Sequence, residues 1–153
     1  MKEFFFISGL PRSGSTLLSA ILRQNPEFYA DISSPVQGLV ASTINVITGS
    51  ESNHLIDEDR RKHILKSIFN AYYDAVTPST VFDTSRGWTA KTSLLKDLYP
   101  KTKIICCVRD LPWILDSFER IAAKNSLYGA SLTDNEAKPN SHHKVRCLDG
   151  CRK

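Results

Sequence analysis

The chain has 153 residues, 41% of them apolar and 24% charged, which fits one globular domain and excludes a disordered polyelectrolyte. Its net charge of +4 comes from Lys and Arg scattered along the sequence, so no dense basic cluster marks a nucleic-acid partner. No stretch approaches the roughly 18 apolar residues of a membrane span.

In chain order, the apolar run Phe4–Ser8 reads as a buried strand, and it is too short for the apolar core of a secretory leader. Ser15 to Gln24 carries Leu17, Leu18, Ile21 and Leu22 at helical spacing and stops before Asn25-Pro26. Ser34 to Ile47 opens on Ser-Pro and reads as a second helix that stops before Gly49. Asp57 to Val76 places Ile64, Leu65, Ile68, Tyr72 and Val76 on one face and ends at Thr77-Pro78. Thr80–Asp83 is a second strand, and Trp88 to Leu98 is a helix that stops at Pro100. Lys103–Val108 is a third strand, and Pro112 to Lys124 is a helix with proline in its first turn. Strands alternating with helices predict an α/β fold of three layers around a mainly parallel sheet. The first and third strands are continuously apolar, which predicts cover on both faces.

The cysteines are Cys106, Cys107, Cys147 and Cys151, and they form no disulfide framework, so a reducing cytoplasm is the expected location. Cys106 and Cys107 sit in the third strand and read as small buried thiols. From Asp134 onward the sequence is polar and without period. The expected division is therefore a domain over residues 1–125 and a poorly ordered tail over 126–153. His142, His143, Cys147 and Cys151 in that tail match no common zinc spacing, so no metal is expected.

The first strand runs into Gly9-Leu10-Pro11-Arg12-Ser13-Gly14-Ser15-Thr16, with the G-x-x-x-x-G spacing of a phosphate-binding loop. Such a loop wraps backbone N–H groups around an anion and aims a helix N-terminus at it. A nucleoside-triphosphatase loop has lysine after its second glycine; here that position is Ser15, and the nearest cation is Arg12. The pattern points to a 5′-phosphate held without metal, and it counts against a small-molecule kinase. Beyond the third strand come Arg109 and, eight residues later on the next helix, Ser117. Ligands of open α/β sheets bind at the carboxyl ends of strands, so this pair reads as a second phosphate site.

Two phosphate sites, a lysine-free loop and no magnesium signature resemble the sulfotransferase family over residues 3 to 124. The family's 5′-phosphosulfate loop is similar to Pro11-Arg12-Ser13-Gly14-Ser15-Thr16-Leu17, with the Pro-Arg-Ser-Gly form of tyrosylprotein sulfotransferases. Its 3′-phosphate motif resembles Arg109 with Ser117. The resemblance implies a P-loop-type fold in a short or C-terminally truncated member. It also implies transfer of a sulfuryl group from 3′-phosphoadenosine 5′-phosphosulfate (PAPS) to a hydroxyl or amine. The acceptor would be a small molecule, carbohydrate or peptide, with no nucleic acid or membrane involved. Arg12 would stabilise charge on the leaving phosphate; Ser13, Gly14, Ser15, Thr16 and Leu17 would hold the 5′-phosphate; Arg109 and Ser117 would hold the 3′-phosphate.

Many cytosolic members place a histidine base in a Lys-Thr-His stretch that falls here on Thr84-Ser85-Arg86, and the tyrosylprotein type has glutamate where this chain has Ser33. Arg86 stays protonated at neutral pH and would stabilise sulfuryl charge instead. Asp83, ending the second strand, is the first candidate for the base, ahead of Asp31. The displaced base and the short C-terminal part leave a second reading open, a non-catalytic nucleotide-binding module of the same fold.

Overall fold

The computed structural model describes residues 2–50 and 53–124. They divide into two units, one up to Ile114 and one from Leu115 to Lys124. The tail and its His and Cys residues lie outside the described residues.

The first unit is built on a four-stranded parallel sheet. Its strands are β1 (Glu3–Gly9), β2 (Phe28–Ala30), β3 (Thr80–Thr84) and β4 (Ile104–Cys107), in the order β2-β3-β1-β4. Helix α1 (Ser15–Leu22) covers one face, while α2 (Val36–Ile47), α3 (Glu58–Tyr72) and α4 (Thr92–Leu98) cover the other. This is the three-layer α/β arrangement that the alternating pattern predicts.

Strand β1 lies between β3 and β4 in the sheet, and both of its faces are packed, each by its own core cluster. Phe4 and Phe6 point into an aromatic core, where the Phe6 ring lies 5.0 Å from Trp88 and 5.8 Å from Phe69 between centroids. Ile7 packs on the opposite face with Ala30 and Phe82, under Leu18 and Leu22 of α1. Two-sided burial is why this strand reads as a continuous apolar run rather than an alternating one. Aromatic pairs at such separations add about 0.5–1.5 kcal/mol each beyond the area they bury.

Five details depart from the sequence reading. Strand β2 has three residues, too few to carry a periodic signal; it forms because Phe28–Ala30 aligns with Thr80–Phe82 after the turn at Asn25. Of the α1 stripe, only Leu18 and Leu22 pack, and Leu17 and Ile21 are exposed. The segment read as one helix from Trp88 is a 3-10 helix over Arg86–Lys91 followed by α4. Cys106 is exposed and Cys107 half-buried, because β4 is the sheet's edge among the described residues and lacks the cover given to β1. Helix α3 starts where Asp57 accepts the Arg60 N–H at 2.7 Å, with Glu58 and Asp59 favourably placed in its first turn. It ends at Tyr72, four residues short of the expected stop. Helix α5 (Leu111–Lys124) begins at the end of the first unit. Among the described residues, no helix is long and apolar enough to cross a membrane.

Truncating Phe6 to Ala should cost about 3–5 kcal/mol in urea denaturation, because it opens a cavity in the aromatic core. Leu17→Ala should stay within about 0.5 kcal/mol, since that side chain is exposed.

Candidate functional site

Strand β1 ends at Gly9, and the chain turns sharply through Leu10–Gly14 into α1. The Ser13 N–H donates to the Leu10 carbonyl at 3.1 Å, and three residues take positive φ: Gly9 at 145°, Arg12 at 66° and Gly14 at 110°. A left-handed arginine costs roughly 1–2 kcal/mol relative to its ordinary backbone. Alternating backbone signs of this kind turn successive N–H groups to one side, the geometry of an anion-binding nest. Gly9 is doubly constrained, because a Cβ there would lie 2.5 Å from the Cys107 carbonyl oxygen and 2.9 Å from Ser13 Oγ. Gly14 has open space around it and is held to glycine by its φ alone.

Helix α1 starts without a side-chain cap and without an acidic residue in its first turn. The positive end of its dipole therefore faces the loop unneutralised. Ser13 Oγ is buried and has no hydrogen-bond partner. An uncapped helix start and an unpartnered buried hydroxyl fit an anion bound by the loop.

The parallel ladder brings this loop beside the ends of β3 and β4. Gly9 pairs with Cys107 and Ile7 with Thr84, so Arg109 and Arg86 emerge on the same edge as the loop. Arg109 Nη1 donates to the Arg12 carbonyl at 3.1 Å, and its guanidinium lies 5.8 Å from the Trp113 ring. The 3-10 helix carrying Arg86 is tied to β1: Ser8 Oγ donates to the Arg86 carbonyl at 3.0 Å and accepts from the Thr89 N–H at 3.3 Å. A cleft of about 250 Å³ results, lined by Gly9, Leu10, Pro11, Arg86, Thr89 and Arg109, with Cys106 to Val108 completing it.

Of the residues expected at the site, Pro11, Arg86 and Arg109 line this cleft, and Arg12 is joined to it through its carbonyl. Ser13 and Gly14 complete the loop, and Ser15, Thr16 and Leu17 form the first turn of α1. Thr16 lines a separate groove of about 270 Å³ with Ser19 and Arg23. Ser117 lies on α5 in the second unit. Ser8 and Thr89 went unread in the sequence, although a polar residue closing an apolar strand, as Ser8 does, is a usable signal.

Asp83 is not among the residues lining the cleft. Its carboxylate has no exposed surface and accepts three hydrogen bonds: from Tyr73 Oη at 2.6 Å, Trp88 Nε1 at 2.6 Å and Ser34 Oγ at 2.8 Å. Burial pushes its pKa above the ordinary carboxylate value, against the pull of these three donors. The same burial, with the nearby Asp83 charge, pushes the Tyr73 phenol far upward. Asp31 is half-buried and held locally, accepting from its neighbour Ile32 N–H at 2.9 Å and from Tyr29 Oη at 3.3 Å. Among the described residues, no group of three or more His, Cys, Asp or Glu is placed to hold a metal.

A family model described as the sulfotransferase family matches residues 5–148. The chain belongs to the sulfotransferase family. The match takes in the loop, the cleft and the Asp83 cluster together. No curated protein matches the chain. For a sulfotransferase, the loop and its flanking cations are the residues of first interest.

Gly9→Ala should destabilise the sulfotransferase more than Gly14→Ala in urea denaturation. Both place a side chain at positive φ, worth roughly 1–2 kcal/mol, but only Gly9 adds a backbone clash. Asp83 gives a pH signature. A raised folded pKa means that its stabilising contribution is full below the ordinary carboxylate range and is lost as pH rises through the folded value. The stability of the wild type minus that of Asp83→Asn should therefore increase as pH falls from about 7 to about 4, read from urea midpoints.

Proposed function

We propose that this sulfotransferase moves a sulfuryl group from PAPS to a hydroxyl or amine acceptor. The observation that carries this reading is the cleft that joins a left-handed, lysine-free phosphate loop to two guanidinium groups, Arg86 and Arg109. PAPS supplies an activated sulfuryl group whose transfer leaves a 3′,5′-bisphosphate.

Each residue then has a stated task. The N–H groups of Ser13 to Thr16 and the Ser13 hydroxyl bind the 5′-phosphate, where the α1 dipole adds attraction. Arg12 stabilises the negative charge that grows on the leaving phosphate oxygen, and Arg86 does the same on the sulfuryl oxygens. Arg109 takes the 3′-phosphate; Ser117 joins it on the sequence motif alone. Asp83 acts as a positioning residue. Its hydrogen bond to Trp88 fixes the 3-10 helix, and that helix presents Arg86. A small molecule, carbohydrate or peptide is the acceptor, in a cytoplasmic setting.

A second reading has its own support: none of the described residues lining the cleft is a carboxylate or an imidazole. A domain that binds the nucleotide without transferring sulfate would look the same there. Calorimetry with 3′,5′-adenosine bisphosphate and transfer of labelled sulfate from PAPS separate the two. Binding with turnover supports the transferase, binding without turnover supports the module, and no binding refutes both.

Arg12→Gly is the sharpest variant, because glycine accepts the left-handed backbone while removing the guanidinium. Stability should remain within about 1 kcal/mol, and labelled transfer should fall by at least about 100-fold. Wild-type turnover in this variant would remove Arg12 from the mechanism.

A further inference from the structure

We propose that a second, larger cavity at the opposite end of the sheet binds an amphipathic organic anion, one carboxylate, sulfate or sulfonate head on an apolar body. The cavity measures about 750 Å³ and lies where β1 begins, against α3 and the turn after α4. That volume falls within the roughly 300–1,000 Å³ of small-molecule sites. Phe5, its last lining residue on β1, stands four residues before Gly9, about 13 Å at about 3.3 Å per residue, and the cavity shares no lining residue with the proposed transfer cleft.

Its walls are apolar where a ligand body would lie: Phe4, Leu98, Tyr99 and Pro100. Its charge is one-sided. Lys2, Lys66 and Lys101 line it against a single carboxylate, Glu3. Two of these cations are held in place. The Lys2 ammonium donates to the Val76 carbonyl, and Lys66 Nζ lies 5.9 Å from the centre of the Tyr99 ring. The Tyr99 hydroxyl is buried without a hydrogen-bond partner, and burial pushes its pKa up, so it remains a donor. An apolar floor with fixed ammonium groups at its margin matches a ligand of the same polarity pattern.

The alternative occupants fit less well. The chain after Asn125 carries more Lys and Arg than Asp and Glu, so its charge opposes the lysines. A second copy docking by twofold symmetry would bring the same lysines against one another.

The test uses 8-anilinonaphthalene-1-sulfonate, an aryl sulfonate, with the intact chain. Fluorescence titration and calorimetry should give saturable 1:1 binding that persists under saturating 3′,5′-adenosine bisphosphate. The double variant Lys66→Glu/Lys101→Glu should weaken it at least about tenfold, with its urea midpoint and its affinity for the bisphosphate unchanged. The neutral analogue N-phenyl-1-naphthylamine should bind at least about tenfold more weakly than the sulfonate. Absence of saturable binding overturns the proposal. So does displacement by the bisphosphate, equal binding of the neutral analogue, or an unchanged affinity in the double variant. None of these results bears on whether the chain transfers sulfate.

Discussion

Three hydrogen bonds converge on the Asp83 carboxylate in a core otherwise made of Phe, Tyr, Trp and aliphatic side chains. A buried acid is costly unless its oxygens are satisfied, and removing one partner leaves the full penalty behind. The donors come from the residue that ends α3, from two residues ahead of α2 and from the 3-10 helix, so one oxygen pair ties three segments to a strand. Trp88 contributes twice, since its ring also stacks on Phe69 at 5.8 Å. The direction in which the 3-10 helix leaves the sheet follows from this anchorage, and with it the position of Arg86.

On the other edge of the loop, Arg109 is steadied by the Arg12 carbonyl and by Trp113. Both guanidinium groups of the cleft therefore lie on segments held by hydrogen bonds to β1 or to its loop. Charge that is already in place needs little reorganisation when an anion arrives, which is the condition for strong electrostatic stabilisation. The loop's own strain, concentrated at Arg12, is sustained by the helix on one side and the Gly9 contact on the other.

The parts visible in the sequence are those written locally. Phe4 to Ser8 announces a strand because every residue is apolar up to the closing serine, and Gly9 and Gly14 announce a loop because their spacing answers a backbone requirement. Arg86 and Arg109 were legible as residues at or just beyond strand ends. Asp83 was legible only as a carboxylate near the ligand edge. Its partners Tyr73, Ser34 and Trp88 lie 10, 49 and 5 residues away, and no local pattern says which face of the strand they crowd. Strand β2 was lost because three residues show no period, and the exposure of Cys106 because edge position belongs to the sheet and not to the strand.

The rungs of the parallel ladder carry a consequence for how such a chain can vary. Phe6 is paired with Ile104 and Gly9 with Cys107, so the loop and Arg109 are both counted from the same rungs. An insertion or deletion of one residue within β4 would turn its side chains to the opposite face and displace Arg109 by a full position. Substitutions on the exposed side of β4 leave that count untouched. Divergence within this domain is therefore constrained more by strand length than by strand composition, and length changes should gather in the connections away from the carboxyl edge of the sheet.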